Sequence, residues 1–315
     1  MSAAFSGRPL CDYSTPRAGM ITGNNNVFVR LWFEISRKKF STICKSIEES
    51  VSSKAKWFPY QKGGTYRKWA GNDEYCVNYE NNGWLLKNTK DSKGKVPAHA
   101  FNEEYIFTPN VNWSAISSTG FATRITLYGK LFDASGSAAF PFEHEDVWKI
   151  SAFLNSKIAN KMLNVINPTI NFQAWEIGNL SFKKSTISDV VVSLTKDSFS
   201  ISRQDWNSHE TSWDFKINEL YRLALGLTYD QVESSLMTNV GIDLSLEDLV
   251  SRYTLFWQEK FIQLHANEEE LNRKFIEIYG LQDELTPDVP LDEITILQKG
   301  EISIEDNQIV WHKDV

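Results

Sequence analysis

The sequence lacks what a membrane protein, a disulfide scaffold or a common nucleotide-binding enzyme would need. No apolar run approaches the roughly 18 residues required for a membrane helix. The opening MSAAFSGRPLCDY has no basic-then-apolar signal pattern. Cys11, Cys44 and Cys76 are odd in number, far apart and without a C-x-x-C pair. That argues against a disulfide framework and a zinc site, and for a cytoplasmic protein with no membrane partner.

Catalytic signatures are also missing. There is no G-x-G-x-x-G or G-x-x-x-x-G-K-[ST] loop and no G-x-S-x-G elbow. No H-x-E accompanies a P-C-x-x-C, which excludes a zinc deaminase. The nearest metal-like cluster, Glu143-His144-Glu145-Asp146, holds one histidine and reads as the acidic start of a helix, so no metal is expected. His209 and Glu210 are neighbours on a helix and point apart. No Asp/Glu pair with a Lys has metal-nuclease spacing. No two prolines are adjacent, which excludes the N-P-P-Y or D-P-P-Y box that holds a flipped adenine; an F-x-G-x-G for the methyl donor is absent too. No catalytic residue is assigned.

What remains is an ordinary globular composition, 42% apolar and 23% charged, in 315 residues, enough for one large domain or two ordinary ones. The net charge of −7 is segregated. Residues 1–130 hold 18 Lys and Arg against 10 Asp and Glu, a net +8; residues 131–315 hold 15 against 30, a net −15. A basic half suits a polyanion. The acidic half reads as solvated helix faces or as a surface for a basic partner.

The densest stretch is Trp57 to Gly71, WFPYQKGGTYRKWAG. Two uses fit it. Gly63 and Gly64 can turn a β-hairpin whose aromatic face is half-buried. Alternatively, their bare backbone can approach a ligand closely, with Lys and Arg for phosphates and aromatic faces for bases or sugars.

Along the chain, residues 2–6 read as a helix tail. Val27 to Ile35 reads as a strand with Arg30 on its aromatic face, and residues 36–54 as polar and helix-like. Short strands are expected at Glu74–Tyr79, Trp84–Lys87, Tyr105–Thr108, Trp113–Ser117 and Phe121–Tyr128, between NNG, DSKGK and TPN turns. Lys87, Lys90, Lys93 and Lys95 form a solvated loop or trail a nucleic-acid backbone. Residues 146–164 have the 3–4 spacing of an amphipathic helix. SRQD at Ser202–Asp205 and SLED at Ser245–Asp248 read as capping boxes. Another helix is expected from Asn267 to Gly280, and two short strands within 294–311. The expected class is α+β: a mixed or antiparallel twisted sheet with packed helices in residues 1–200, a small helical domain at 201–280, and a linker with a strand pair at 281–315.

Taken in order, GMITGNNNVFVRLWFEI, WFPYQKGGTYRKWAGNDEYCVNYENNGWLLKN, FLNSKIANKML with NPTINFQAWEIGNL, and NEEELNRKFIEIYGLQDELTPDVPLDEITIL resemble one family. It is the adenine-specific DNA methyltransferase of BREX phage-exclusion systems, of the PglX type. The likeness is to the part after the catalytic domain, so it implies a fragment or split product of a larger site-specific enzyme. It implies DNA target recognition without catalysis by this chain alone. Double-stranded DNA, the missing methyltransferase domain and other BREX proteins are the partners implied, with S-adenosylmethionine held by the missing domain and no cofactor here. The family's proline after the IGNL-like stretch is replaced by Ser181, so the turn there is expected to differ.

With that role, Lys62, Arg67 and Lys68 are expected to hold phosphates beside Gly63 and Gly64. Arg30, Arg124 or Asn72 are expected to read a base edge, and Tyr66 or Trp69 to pack on a sugar or wedge a base step. The alternative function is a protein-interaction module that docks other defence subunits through the acidic helices.

Overall fold

The computed structural model describes residues 6–232 and 244–312. All but Ser6 of the helix tail expected at 2–6 lies outside them. The fold is α+β. Its strands are β1 (Arg8–Pro9), β2 (Ser14–Arg17), β3 (Val29–Leu31), β4 (Trp57–Gln61), β5 (Tyr75–Asn78), β6 (Asn110–Trp113), β7 (Thr123–Thr126), β8 (Leu131–Phe132), β9 (Ala138–Pro141), β10 (Ser181–Phe182), β11 (Ile302–Glu305) and β12 (Gln308–Trp311). Its helices are α1 (Asn25–Phe28), α2 (Ile47–Ser52), α3 (Glu80–Asn88), α4 (Asp146–Leu154), α5 (Lys157–Ile166), α6 (Ala174–Gly178), α7 (Asp189–Asn207), α8 (Glu219–Ala224) and α9 (Leu246–Tyr279). Among the described residues no helix is long and apolar enough to cross a membrane.

Two four-stranded sheets carry the N-terminal half. One runs β2-β9-β6-β7, antiparallel throughout. The other runs β3-β5-β4-β8 and is antiparallel except for the β4–β8 pair. Side chains alternate across a strand, and β9 uses both faces: Ala139 joins a large core with α4, α5, α7 and α9, while Ala138 and Phe140 join a smaller core with β4, β5 and α3. Strand β9 therefore lies between two apolar clusters, while β6 and β7 bury the polar Asn110, Asn112, Arg124 and Thr126 on the face opposite the larger core.

The larger core draws on residues from Leu10 to Leu297. The boundary expected at residue 200 falls inside α7, and Ile294, Ile296 and Leu297 are buried in the same core as β6 and β7. Burial of one shared apolar surface, rather than a linker, joins the three expected segments.

Several local expectations are corrected. The strand expected over Val27–Ile35 shrinks to β3, because α1 precedes it and a 3-10 turn, Trp32–Glu34, follows. The Glu34 carboxylate accepts the Leu31 N–H at 2.8 Å and fixes that turn. Trp84–Lys87 is helical, in α3; Asn81, Asn82 and Gly83, all at positive φ, swing the chain out of β5. Glu103–Tyr105 is a 3-10 turn, and the next strand starts at Asn110.

The helix expected at 146–164 is broken into α4 and α5. Asn155 closes α4 with its backbone still helical, and its side-chain amide accepts from the Thr123 N–H at 2.8 Å and donates to the Thr123 carbonyl at 3.2 Å. Ser156 then caps α5 by accepting from the Ala159 N–H. The SRQD box lies inside α7, where the preceding turn satisfies its N–H groups. The start expected at Asn267 lies inside α9, which runs from the Ser245 cap to Gly280. Gly280 is left-handed, and the Leu281 N–H closes a Schellman motif on the Ile276 carbonyl. Strands β11 and β12 pair as expected, at 302–311. Ser181 lies in β10, with its hydroxyl accepting the Gly7 N–H at 2.6 Å.

Candidate nucleic-acid interface

Strand β4 runs through the smaller core and leaves it at Lys62. The chain then turns through Gly63 (φ 80) and Gly64 (φ 134) and does not fold back as a hairpin; β4 pairs with β5 and β8 instead. Gly64 is exposed, and a Cβ there would lie 2.7–2.8 Å from the Asn72 amide. That close approach, with φ beyond the range of ordinary side chains, requires glycine. The loop is tied on both sides: the Ser114 hydroxyl donates to the Gly64 carbonyl at 3.0 Å, and the Ser135 hydroxyl donates to the Lys62 carbonyl at 2.8 Å.

Beyond the loop the chain dives inward. Arg67, Lys68 and Trp69 are buried, and each meets the acidic half. Arg67 forms an ion pair with Asp205 at 2.6 Å and donates to the carbonyls of Ser202 and Thr295, both at 3.0 Å, while its guanidinium lies over Trp206. Lys68 Nζ is 2.6 Å from Glu268 Oε2, and Trp69 Nε1 donates to Glu268 Oε1 at 2.8 Å. Burial alone would lower the Lys68 pKa, but Glu268, with Tyr66 and Glu293, outweighs it and the group is held charged. The backbone of Trp69 bridges to β7, donating to the Thr123 carbonyl and accepting from the Ile125 N–H, both at 2.8 Å.

Arg124, in β7, is buried too. Its Nε donates to Asn112 at 3.2 Å and its Nη1 to the Arg67 carbonyl at 3.4 Å. Burial lowers its pKa to about 10; Asp73 opposes the shift and Arg67 adds to it. Arg67, Lys68, Trp69 and Arg124 thus form an internal clasp between the sheet and helices α7 and α9. The structure places these four, expected at a ligand, inside the protein, where their charges and ring N–H have internal partners.

Of the other candidates Gly63 is buried and the rest are nearer solvent. Lys62 is half-buried and pairs with Asp133 at 3.3 Å. Tyr66 is half-buried beside Lys68, whose Nζ lies 6.0 Å from its ring centre, and burial raises its pKa. Asn72 donates to the Thr65 carbonyl at 2.9 Å. Arg30 stands apart in β3, donating to the carbonyls of Asn26 and Val29 at 2.6 Å. The structure brings Lys62, Gly63, Gly64, Tyr66 and Asn72 to one loop and leaves Arg30 outside it.

The lysine run forms an ordered projection. Asp91 Oδ1 accepts the N–H groups of Lys93 and Lys95 at 2.8 and 2.9 Å, and Lys90, Lys93 and Lys95 are exposed. Among the described residues no group of three or more His, Cys, Asp or Glu is placed to hold a metal ion.

The clasp carboxylates were missed by sequence reasoning, although periodicity marks them. Trp257, Phe261, Leu264, Glu268, Leu271 and Phe275 repeat at 3–4 residues, which places Glu268 in the buried stripe of α9. Thr195, Ser198, Ser202 and Asp205 do the same on α7. A lone acid inside an apolar stripe signals a buried cation across from it.

No family model matches the chain. Among curated proteins it is 36% identical, over 296 residues and 93% of its length, to the adenine-specific methyltransferase PglX of Lacticaseibacillus casei (strain Zhang). It is 31% identical, over 297 residues and 92% of its length, to the adenine-specific methyltransferase BrxX of Escherichia coli O9:H4 (strain HS). The chain is thus a homologue of adenine-specific methyltransferases. In particular it matches one segment of PglX and BrxX, spanning 23% and 22% of their lengths.

Proposed function

We propose that this chain is the DNA target-recognition part of a BREX-type adenine-specific methyltransferase. It binds double-stranded DNA and does not catalyse methyl transfer alone. A separate methyltransferase domain supplies the reaction and holds S-adenosylmethionine, and the other BREX proteins are its further partners.

One observation carries the reading beyond homology. Gly64 lies at the surface beside the half-buried Lys62, Tyr66 and Asn72, while the residues behind it are locked to α7 and α9 through Arg67, Lys68 and Trp69. A contact loop backed by a rigid, fully paired shell is preorganised, so little ordering entropy opposes binding. Lys62 and the backbone of Gly64 approach phosphates, with the buried Gly63 turning the chain to present them; Asn72 and Arg30 address base edges, and Tyr66 packs against sugar or base. Arg67, Lys68, Trp69 and Arg124 position the loop from behind.

The test is selection from a pool of randomised duplexes by the purified chain. The reading expects a short motif to be enriched, and Asn72→Ala to relax one position of it while Lys62→Gln weakens all sequences alike. Absence of binding, or binding without enrichment, overturns the recognition role.

A further inference from the structure

The basic N-terminal half carries a second basic surface, built from two segments that lie side by side ahead of and at the start of β4. Residues 37–41 and 54–57 meet through a parallel bridge between Phe40 and Trp57. The Lys56 N–H donates to the Lys39 carbonyl at 2.9 Å, and the Ser41 N–H to the Trp57 carbonyl at 3.1 Å. Lys39 Nζ reaches the Lys54 carbonyl at 3.4 Å. Arg37, Lys38, Lys39 and Lys54 are exposed and Lys56 is half-exposed. Five cations are thereby gathered on one ridge.

Two features separate this ridge from ordinary solvated lysines. First, its cations have no carboxylate partner among the described residues, whereas Lys62, Lys87 and Lys130 of the same half pair with Asp133, Glu103 and Asp73. The acids nearest in sequence are committed elsewhere: Glu34 accepts the Leu31 N–H, and Glu49 the Lys45 N–H. Second, the ridge has a fixed aromatic floor. Arg37 lies over Trp32 and Phe40, at 5.6 and 5.8 Å, and Lys56 over Trp57 at 5.7 Å. Trp32 Nε1 donates to the Thr211 carbonyl at 2.8 Å, and Phe40 packs edge-on against Trp213, so the floor is anchored to the far half of the chain.

We infer that the Arg37–Lys39 and Lys54–Lys56 ridge is a phosphate-backbone contact for duplex DNA, a non-sequence-reading grip that complements the Gly63-Gly64 loop. The inference rests on the DNA reading above. Charge complementarity selects the occupant: unpaired cations on a rigid base match an evenly spaced row of phosphates, and release of condensed counterions drives such contacts.

The experiment measures binding of the full chain to a duplex of mixed sequence, about two turns long, across a salt series, using fluorescence anisotropy. The variants are R37Q/K38Q/K39Q and K54Q/K56Q. A charge-removing control, K196Q/R252Q, lies on exposed positions of the acidic half. Thermal melts establish that each is folded, and K38R/K39R tests rescue by a retained charge. The ridge predicts a slope of log affinity against log salt that is shallower by about 0.9 for each phosphate contact removed. It predicts equal losses on unrelated sequences, a wild-type slope in the control, and a wild-type slope in K38R/K39R. Wild-type binding with the same slope in the folded ridge variants overturns the ridge and leaves the DNA reading standing; the ridge is then a surface for another acidic partner. Equal slope changes in the control overturn it as a net-charge effect. Failure of the wild type to bind any duplex overturns the DNA reading and the ridge together.

Discussion

Lys68 and Glu268 are separated by 200 positions in sequence and 2.6 Å in space, both nearly sealed from solvent. The same carboxylate receives Trp69 Nε1. Removing one member of a buried pair strands the other charge, which typically costs about 3–5 kcal/mol. Lys68→Met and Glu268→Ala are each expected to destabilise the chain by that order in urea titrations. The double variant Lys68→Met/Glu268→Gln keeps an acceptor for Trp69 and is expected to recover much of the loss. Singles that unfold like the wild type would show that the clasp does not stabilise the fold.

His209 gives the fold a pH dependence. Its Nδ1 lies 2.7 Å from the Asp205 carbonyl, and its Nε2 meets the buried Glu301 carboxylate. Burial alone would lower its pKa, but Glu301 and Asp205 raise it above the ordinary 6.5. Glu301 is shifted the other way, below 4.5: burial alone would raise it, but the bond and charge of His209 and the backbone N–H groups of Glu301 and Lys299 together outweigh burial. The histidine contribution is therefore full below pH 6.5 and lost as pH rises through the elevated value. The glutamate contribution is full above pH 4.5 and lost as pH falls through the depressed one. Melting temperatures between about pH 6 and 9, a range that brackets the ordinary histidine pKa, are expected to fall more in the wild type than in His209→Gln. Parallel curves would remove the pair as a source of pH dependence.

Two left-handed glycines separate conformation from crowding. Gly94 has φ 76 and no described atom within 4 Å of where a methyl group would sit, whereas Gly64 has φ 134 and the Asn72 amide at 2.7 Å. Gly94→Ala is expected to cost about 1 kcal/mol from backbone strain alone. Gly64→Ala is expected to cost more, with part of the excess relieved by Asn72→Ala. Equal costs, measured by chemical denaturation, would mean that the Gly64 loop is looser than described.

The α+β class, β5, β7, the Ser245 cap and the Gly280 stop were legible because each rests on local chemistry: alternation, a capping side chain, a left-handed glycine. The errors share a cause. Asn81-Asn82-Gly83 carries the residues of a hairpin turn, but three successive left-handed residues here launch α3. Asn155 and Ser156 sit in an unbroken helical pattern, yet the chain turns extended at Ser156, which caps α5 while the Asn155 amide pairs with the Thr123 backbone at the edge of β7. In the candidate site, Arg67 and Lys68 carry the signature of a phosphate contact, and local sequence does not reveal that Asp205 and Glu268 lie opposite them. The Gly63-Gly64 turn, exposed at Gly64, was legible because glycine need is local. Burial of its neighbours depends on partners 138 and 200 residues away.

If the loop meets DNA while the cations behind it hold the fold, the two groups of residues separate in a binding experiment. The most direct measurement is duplex affinity of two folded variants against the wild type: Lys68→Met/Glu268→Gln in the clasp, and Lys62→Gln/Asn72→Ala at the surface. Wild-type affinity is expected for the clasp variant and a clear loss for the surface variant. A folded clasp variant that no longer binds, beside a surface variant that binds normally, would contradict that division of roles.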